Sequence, residues 1–293
     1  MDALSIIAKN RNADLDKLGV LAKRFPAYAD ELARLLLSDT LEATDEELEL
    51  SYREVKEALI CDTHGQSGFS EHLIAAEGAL LAAEIAKTLV ERAKIHTFLP
   101  TPDSVDGKCV YFRSAYADAA YRVFAPLLTT PTASYSDSPQ AACREVYNEA
   151  ANFAILPISS SKEGVITGIA KQIARFELAP VYLCDVTLPK SDESVTMGLF
   201  AAYPMAVDAA DGVEVILFSE DHKTLSSLML SLTALNVSVR SLETLDATQG
   251  FAFAHRLVLR LFDPESFLPL WLLLRCEYPH HQLCGVFHTI LNS

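Results

Sequence analysis

Hydrophobic and polar residues follow three patterns along the chain, and each pattern predicts a different kind of structure. From residue 1 to about residue 97, apolar side chains recur at helical spacing. Four helices are predicted there, over 13–25, 27–37, 44–60 and 70–94. The last is alanine-rich and apolar on most faces, which is typical of a helix central in a bundle or buried against a partner chain. Pro100 and Pro102 then indicate a domain boundary.

The period of the pattern changes after Lys108. Short apolar strands are predicted over 109–112, 133–135, 152–158, 180–186 and 195–203. Helices are predicted between them, over 117–128, 140–150 and 165–176. Strands that alternate with helices at this spacing form a mainly parallel sheet covered on both faces. We therefore expect an α/β lobe over 98–208.

The last region begins after Asp211 and Gly212. Its strands are predicted over 213–218, 237–242, 251–262 and 283–290, with helices over 222–235 and 264–275. This βαββαβ order is the ferredoxin-like, split βαβ pattern. The predicted fold class is therefore α/β and α+β: an all-helical region over 1–97, the α/β lobe, and a ferredoxin-like domain over 212–293.

Charge and composition exclude several classes of partner. The 293 residues include 24 Lys and Arg against 39 Asp and Glu, a formal net charge of −15. Such a balance repels phosphate backbones and anionic lipids, so we expect neither a nucleic-acid nor a membrane partner. None of the 11 glycines forms a phosphate-binding motif, and we expect no cofactor. With no signal-peptide pattern and six scattered cysteines expected as free thiols, the predicted location is cytoplasmic.

The most informative motif connects strand 152–158 to the element that follows it. The residues from Phe153 to Val165 read Phe-Ala-Ile-Leu-Pro-Ile-Ser-Ser-Ser-Lys-Glu-Gly-Val. This string resembles the Leu-Pro-Ile-Glu-Asn-Ser/Thr-x-x-Gly junction that lines the substrate cleft of prephenate dehydratases. The positions that fit are Leu156, Pro157, Ile158, Ser161 and Gly164, whereas Ser159 and Ser160 replace the Glu-Asn pair.

The resemblance covers about 108–290 and implies the architecture of that family. The α/β lobe would be one half of a periplasmic-binding-protein-like catalytic domain, and the ferredoxin-like domain would be an ACT-like regulatory domain. ACT-like domains pair with one another, so the resemblance implies a homodimer.

The same resemblance implies a ligand site for a small carboxylate. Its candidate residues are Ser159, Ser160, Ser161 and Gly164, at a predicted helix start where hydroxyls and amides attract anions. Ser114 lies in the counterpart of the family's Gly-Pro-x-Gly-Thr-Phe-Ser turn. The alternative is that these serines cap their own backbone.

The resemblance also implies that part of the catalytic domain is missing. Only 190–194 separate the predicted outgoing strand from the returning one, so the second lobe is absent. Thr196 corresponds to the threonine of the family's Thr-Arg-Phe motif and is the one catalytic candidate, but Met197 stands in the arginine's place. Dehydration with decarboxylation needs a proton donor and a cation for the carboxylate. We therefore expect dehydratase activity to be lost.

The ACT-like region keeps little of the family's phenylalanine site. Leu225 lies in the segment that replaces the Gly-Ala-Leu loop, and Glu243 remains from the Glu-Ser-Arg-Pro motif. These two are the candidate residues for a regulatory ligand, for which an aromatic amino acid is the implied class.

Four residues spaced by four would form a metal stripe on a continuous helix: Cys276, His280, Cys284 and His288. Pro279 and Gly285 interrupt that helix, and the domain pattern assigns the last two to a strand. We expect no metal site.

Three hypotheses on function remain open. The favoured one is a regulatory or scaffold dimer of phenylalanine biosynthesis that lacks dehydratase activity. The second is an active dehydratase, or a fused enzyme of the aromatic pathway, whose site is completed across a dimer with Arg113, Lys162 and Arg175 as cations. The third is a small-molecule sensor with a pocket between the helical region and the lobe.

Overall fold

The computed structural model describes residues 49–57, 71–93, 99–246 and 250–291. The predicted helices over 13–25 and 27–37 lie outside these residues. The helices are α1 (49–57), α2 (Glu71–Ala93), α3 (Ala115–Phe124), α4 (Pro139–Tyr147), α5 (Thr167–Arg175), α6 (His222–Ala234) and α7 (Phe267–Glu277). The strands are β1 (Asp106–Phe112), β2 (Thr129–Ser136), β3 (Phe153–Ser160), β4 (Gly164–Val165), β5 (Ala179–Thr187), β6 (Ser194–Ala201), β7 (Gly212–Ser219), β8 (Val237–Leu245), β9 (Phe253–Leu261) and β10 (His281–Ile290). No helix among these described residues is both long and apolar enough to cross a membrane.

The strands form one mixed sheet, in the order β2-β1-β3-β6-β5-β10-β7-β9-β8, with β4 paired to β3. In the α/β part, β1 is parallel to β2 and β3. Strand β6 runs back between β3 and β5 and is antiparallel to both. The sheet is therefore mixed, although β1, β2, β3 and β5 all run in one direction.

The C-terminal elements β7, α6, β8, β9, α7 and β10 follow the expected βαββαβ order. Their strands pair antiparallel, in the order β10-β7-β9-β8. The sheet continues into the α/β part because His288–Ile290 of β10 pair in parallel with 182–184 of β5. Gly285 permits this approach, since a Cβ atom there would clash with the ring of Pro180. Two sequence regions thus share one sheet, and the division into three domains remains a prediction.

Helix α2 packs within its own chain, against α6 and α7. Its side chains at Ile85 and Leu89 are fully buried, in the same core as Leu228 of α6 and Leu273 of α7. The small alanines of α2 allow close approach, and the Ser231 hydroxyl of α6 donates to the carbonyl of α2 residue 79 at 2.9 Å. The alanine-rich pattern therefore reflects an intrachain helix layer, with α2 above the helices of the C-terminal sheet.

Two predicted helix boundaries are wrong. The helix predicted over 165–176 begins at Thr167, because Gly164 and Val165 turn back as β4 and pair with β3. The helix predicted over 117–128 ends at Phe124 and continues as a short 3-10 turn that contains Pro126, whose ring nitrogen carries no hydrogen for a helical bond.

Candidate functional site

The candidate ligand residues lie at one edge of the sheet, at the carboxyl ends of the parallel strands. Strand β1 ends at Phe112, just before Ser114, and β3 ends at Ser160. Because β1 and β3 run in the same direction, Ser114 and Ser159–Ser161 share this edge, which we call the carboxyl edge. Open α/β sheets bind ligands at this position. The resemblance had suggested Ser114 and Ser159–Ser161 as ligand residues. The parallel directions of β1 and β3 explain why they lie at the same edge of the sheet.

A row of polar residues crosses three strands near the carboxyl edge. Ser159 of β3 is in register with Thr196 of β6, which is in register with Asp185 of β5. Residues in register on neighbouring strands point to the same face. The Thr196 hydroxyl donates to Oδ1 of Asp185 at 2.6 Å. Sequence reasoning missed Asp185, whose position in an alternating strand was the only signal.

Three of the four candidate serine hydroxyls at the carboxyl edge accept a hydrogen bond from the chain's own backbone. Oγ of Ser160 accepts the N–H of Glu163 at 3.0 Å, and Oγ of Ser161 accepts the N–H of Ser194 at 3.0 Å. Oγ of Ser114 accepts the N–H of Ala117 at 3.1 Å and so caps α3. Ser114 is therefore a helix cap, whereas Ser160 bonds within the β3–β4 turn and Ser161 bonds to the first residue of β6.

Gly164 serves a tight hairpin and not a helix start. Its φ is +73°, a conformation that favours glycine, and the turn pairs Ser160 with Gly164. Helix α5 begins three residues later, and its N-cap residue Ile166 makes no side-chain cap. The anion-attracting helix start expected beside the serines is therefore displaced from them.

The three candidate cations are divided between the two edges of the sheet. At the carboxyl edge, Lys162 Nζ lies 2.9 Å from Asp192 Oδ1, and this hydrogen bond lowers the pKa of Asp192. The Arg113 guanidinium lies 5.0 Å from the ring centre of Tyr135. Arg175 ends α5, just before β5 begins, and so lies at the opposite edge.

The residue in place of the family's arginine is inside the protein. Met197 is fully buried and belongs to the core beneath α3, together with Leu199 and Phe124. Its neighbour Thr196 points to the other face, because successive strand residues alternate. An arginine at position 197 would bury a charge in an apolar core.

An aromatic cluster occupies the space beside the start of α3. The Tyr111 ring is 5.3 Å from that of Tyr135 and 5.9 Å from that of Tyr121. The Tyr111 hydroxyl donates to Asp118 at 3.1 Å. Burial, with smaller contributions from Tyr135 and Asp118, raises the pKa of Tyr111, so it remains a hydrogen-bond donor. Sequence reasoning had not connected these residues.

The candidate regulatory residues Leu225 and Glu243 lie in the C-terminal part, where β7 leads into α6. Asp221 caps α6 by accepting the N–H of Thr224 at 2.9 Å and its hydroxyl at 2.8 Å. These bonds lower the pKa of Asp221. Leu225 follows in the first turn of the helix, and Glu243 lies near the end of β8.

Two buried polar side chains lie close to this junction. Ser219 and His255 are only 4% and 7% exposed. Nδ1 of His255 is 3.3 Å from Oγ1 of Thr244, the residue after Glu243. The Ser219 hydroxyl and Nε2 of His255 have no hydrogen-bond partner among the described residues. Since Leu217 is in register with His255, Ser219 is its diagonal neighbour on the same face.

The four residues considered and rejected as a metal stripe do not share one element. Cys276 is on α7, whereas Cys284 and His288 are on β10. Burial raises the pKa of both thiols to about 12. In the described parts of the chain, no three His, Cys, Asp or Glu side chains are grouped as metal ligands.

Comparison with known proteins gave matches only among solved structures. No family model and no curated protein matches the chain. A prephenate dehydratase from Streptococcus mutans matches with a TM-score of 0.46 and 12% identity, over 62% of this chain and 98% of that one. GqqA, described as a novel type of quorum-quenching acylase, gives 0.44 and 16%, over 61% and 94%. A prephenate dehydratase from Arthrobacter aurescens in complex with L-Phe gives 0.43 and 13%, over 61% and 89%. Likenesses at these values assign neither activity nor ligand to this chain.

Proposed function

We propose that this chain is a relative of the prephenate dehydratases that has no dehydratase activity and acts as a homodimeric regulatory or scaffold protein of aromatic amino-acid metabolism. The relationship is supported by the string from Leu156 to Gly164 and by an ACT-like βαββαβ region after an α/β region. The observation that carries the loss of activity is a pair of hydrogen bonds at the carboxyl edge: the amides of Glu163 and Ser194, which could otherwise bind an anion, donate to Oγ of Ser160 and Oγ of Ser161.

Charge at the carboxyl edge also opposes a dicarboxylate substrate. Asp185 holds the Thr196 hydroxyl, and Asp192 holds Lys162. Two carboxylates therefore lie where the reaction would need a cation to bind the substrate and a free hydroxyl to donate a proton. Both residues are exposed, so water is not excluded from the carboxyl edge.

Turnover of prephenate by the purified protein tests this proposal. We expect phenylpyruvate to form no faster than in buffer alone, with an active dehydratase assayed in parallel as the positive control. Formation at an enzyme-like rate would contradict the proposal. Light scattering tests the dimer, which should have twice the mass of one chain; a monomer at the working concentration would refute this part.

A second candidate function, a small-molecule sensor, is favoured by Ser219 and His255. Buried polar groups nearly always have hydrogen-bond partners, so two neighbouring groups without one mark a place where a bound molecule would supply them. The candidate regulatory residues Leu225 and Glu243 belong to the adjoining α6 and β8. An aromatic amino acid is the class that the resemblance implies.

Thermal unfolding with phenylalanine, tyrosine and tryptophan tests the sensor. A ligand at a hundred times its Kd stabilises the folded state by about 2.7 kcal/mol. We expect Ser219→Ala to abolish the shift in Tm, yet to leave the ligand-free protein equally or more stable, because it removes an unsatisfied group. No shift with any of the three amino acids, or a ligand-free Ser219→Ala variant that is clearly destabilised, would contradict the sensor.

A further inference from the structure

A cavity of about 540 Å³ lies at the end of the helix layer, remote from the carboxyl edge. Three elements meet around it: the last turns of α2, the end of α6, and the turn that leads from β9 into α7. Its volume falls in the range of small-molecule sites, about 300–1,000 Å³. None of the residues that line it belongs to the carboxyl edge or to the junction between β7 and α6.

The local sequence explains why the space is not filled. Helix α6 ends at Ala234, and Asn236 then reverses the chain in a left-handed conformation with φ +56°. On the other side, Ser266 precedes α7 without a side-chain cap. The short side chains of Ala234 and Ser266 both face the cavity, and so leave room beneath α2.

The floor of the cavity is apolar. Leu235 and Pro269 are buried, and Val90 and Leu268 are half-buried beside them. Such a floor favours the hydrocarbon part of a ligand, because contact removes apolar surface from water on both sides.

Among the described residues, the rim carries three carboxylates and one ammonium group. Glu91 and Lys87 come from α2, whereas Asp263 and Glu265 come from the turn before α7. Acidic residues just before a helix commonly stabilise the positive end of its dipole. Asp263 and Glu265 lie in such a position, and Oδ1 of Asp263 accepts the N–H of Glu265 at 3.0 Å. Glu91 has no such role, because it lies near the C-terminal end of α2. Carboxylates from two unrelated elements thus converge on one cavity.

We propose that this cavity binds a small organic cation: a primary ammonium group held by Glu91 and Glu265, with an apolar body on the floor. The inference does not depend on the proposed function, since it involves none of the same residues. A carboxylate of the same size would meet the negative rim and be disfavoured.

Titration of the full chain with hexylammonium, monitored by NMR, tests the proposal. We expect saturable binding, with shifts at the amides of Asn236 and Ser266. Hexanoate, the matched anion, is expected to bind at least about tenfold more weakly, because it cannot donate a charge-assisted hydrogen bond to the carboxylates.

Substitutions separate a specific site from general attraction to an acidic protein. Glu91→Gln and Glu265→Gln should each raise the Kd for hexylammonium about tenfold. Glu220→Gln removes the same charge from an exposed residue at the far end of β7 and should leave the Kd unchanged. Ala234→Phe fills the cavity and should abolish binding.

Four results would overturn the proposal: no saturable binding, equal binding of hexanoate, an equal loss in Glu220→Gln, or full binding by a folded Ala234→Phe variant. Should Ala234→Phe fail to fold, Glu91→Gln decides the question, because Glu91 is exposed and its substitution leaves the core intact.

Discussion

Helix α1 is held on α7 by a polar contact whose loss can be predicted in magnitude. The Tyr52 hydroxyl donates to Oε1 of Glu277 at 2.8 Å, and Nζ of Lys56 donates to Oε2 of Glu277 at 2.6 Å. Tyr52 is only 1% exposed, and burial, strengthened by the charge of Glu277, raises its pKa. Tyr52 is therefore a buried neutral donor that needs this carboxylate.

Replacing Glu277 by alanine removes both bonds. A hydrogen bond to a charged partner contributes about 1.5–3 kcal/mol, and the half-buried pair with Lys56 contributes less than about 1 kcal/mol. The Tyr52 hydroxyl would retain only its 3.4 Å bond to the carbonyl of residue 82. We expect Glu277→Ala to lower the free energy of unfolding by about 3 kcal/mol. Tyr52→Phe removes the same charged hydrogen bond but keeps the pair with Lys56, and should cost about 1.5–3 kcal/mol.

Equilibrium unfolding in urea measures these changes. Arg53→Ala is the matched control on the same helix, because Arg53 is 64% exposed and lies 3.8 Å from Glu49. It should cost less than about 0.5 kcal/mol. The reasoning is refuted if Glu277→Ala costs no more than Arg53→Ala, since α1 would then not be docked on α7.

Three further predictions concern packing, pH and thiol reactivity. Gly285→Val should cost about 1–3 kcal/mol in urea unfolding, since its side chain would meet Pro180, whereas Gly168→Ala, with open space around it in α5, should be neutral or stabilising. The pKa of Asp221 is lower in the folded protein than its ordinary value of 3.8, so the ionised carboxylate stabilises the fold above pH 3.8. This stabilisation is lost as the pH falls through the pKa of the folded state. Asp221→Ala should therefore remove this part of the acid dependence of Tm. Burial raises the pKa of Cys109 to about 12, so mass spectrometry should find it alkylated at pH 8 only after unfolding; rapid labelling of the native protein would contradict this.

Local patterns were sufficient for most strands and helices of the described region. The change from a helical to an alternating period after Lys108 marks the start of the sheet, and the apolar run from Val195 predicted the returning strand that became β6. Both signals are local, because they arise from side chains a few residues apart.

Long-range pairing left no comparable signal. The three-residue contact between β5 and β10 joins segments about a hundred residues apart, and no residue pattern marks it. The hairpin at Gly164 was missed for a related reason: the apolar spacing from Val165 fits a helix, but the Val165 side chain is 65% exposed. Its backbone pairs with Ser159 instead.

The sequence suggested which residues belong to the candidate site, but not the hydrogen bonds that they form. The resemblance gave Ser159–Ser161 as ligand candidates and Thr196 as a separate catalytic candidate, and in the sheet Ser159 is in register with Thr196. Sequence alone could not show that Asp185 takes the Thr196 hydroxyl or that Ser161 bonds to β6, because those partners come from separate strands.

An NMR titration of the isotopically labelled protein with prephenate tests the central claim most directly. The amide N–H groups of Glu163 and Ser194 donate to Oγ of Ser160 and Oγ of Ser161, respectively. Their resonances therefore report whether a ligand is bound at the carboxyl edge. We predict that neither resonance moves as prephenate is added, because both amides already donate to a serine hydroxyl and are not available to an anion. Saturable shifts of both resonances, lost in a Ser161→Ala variant, would contradict the account.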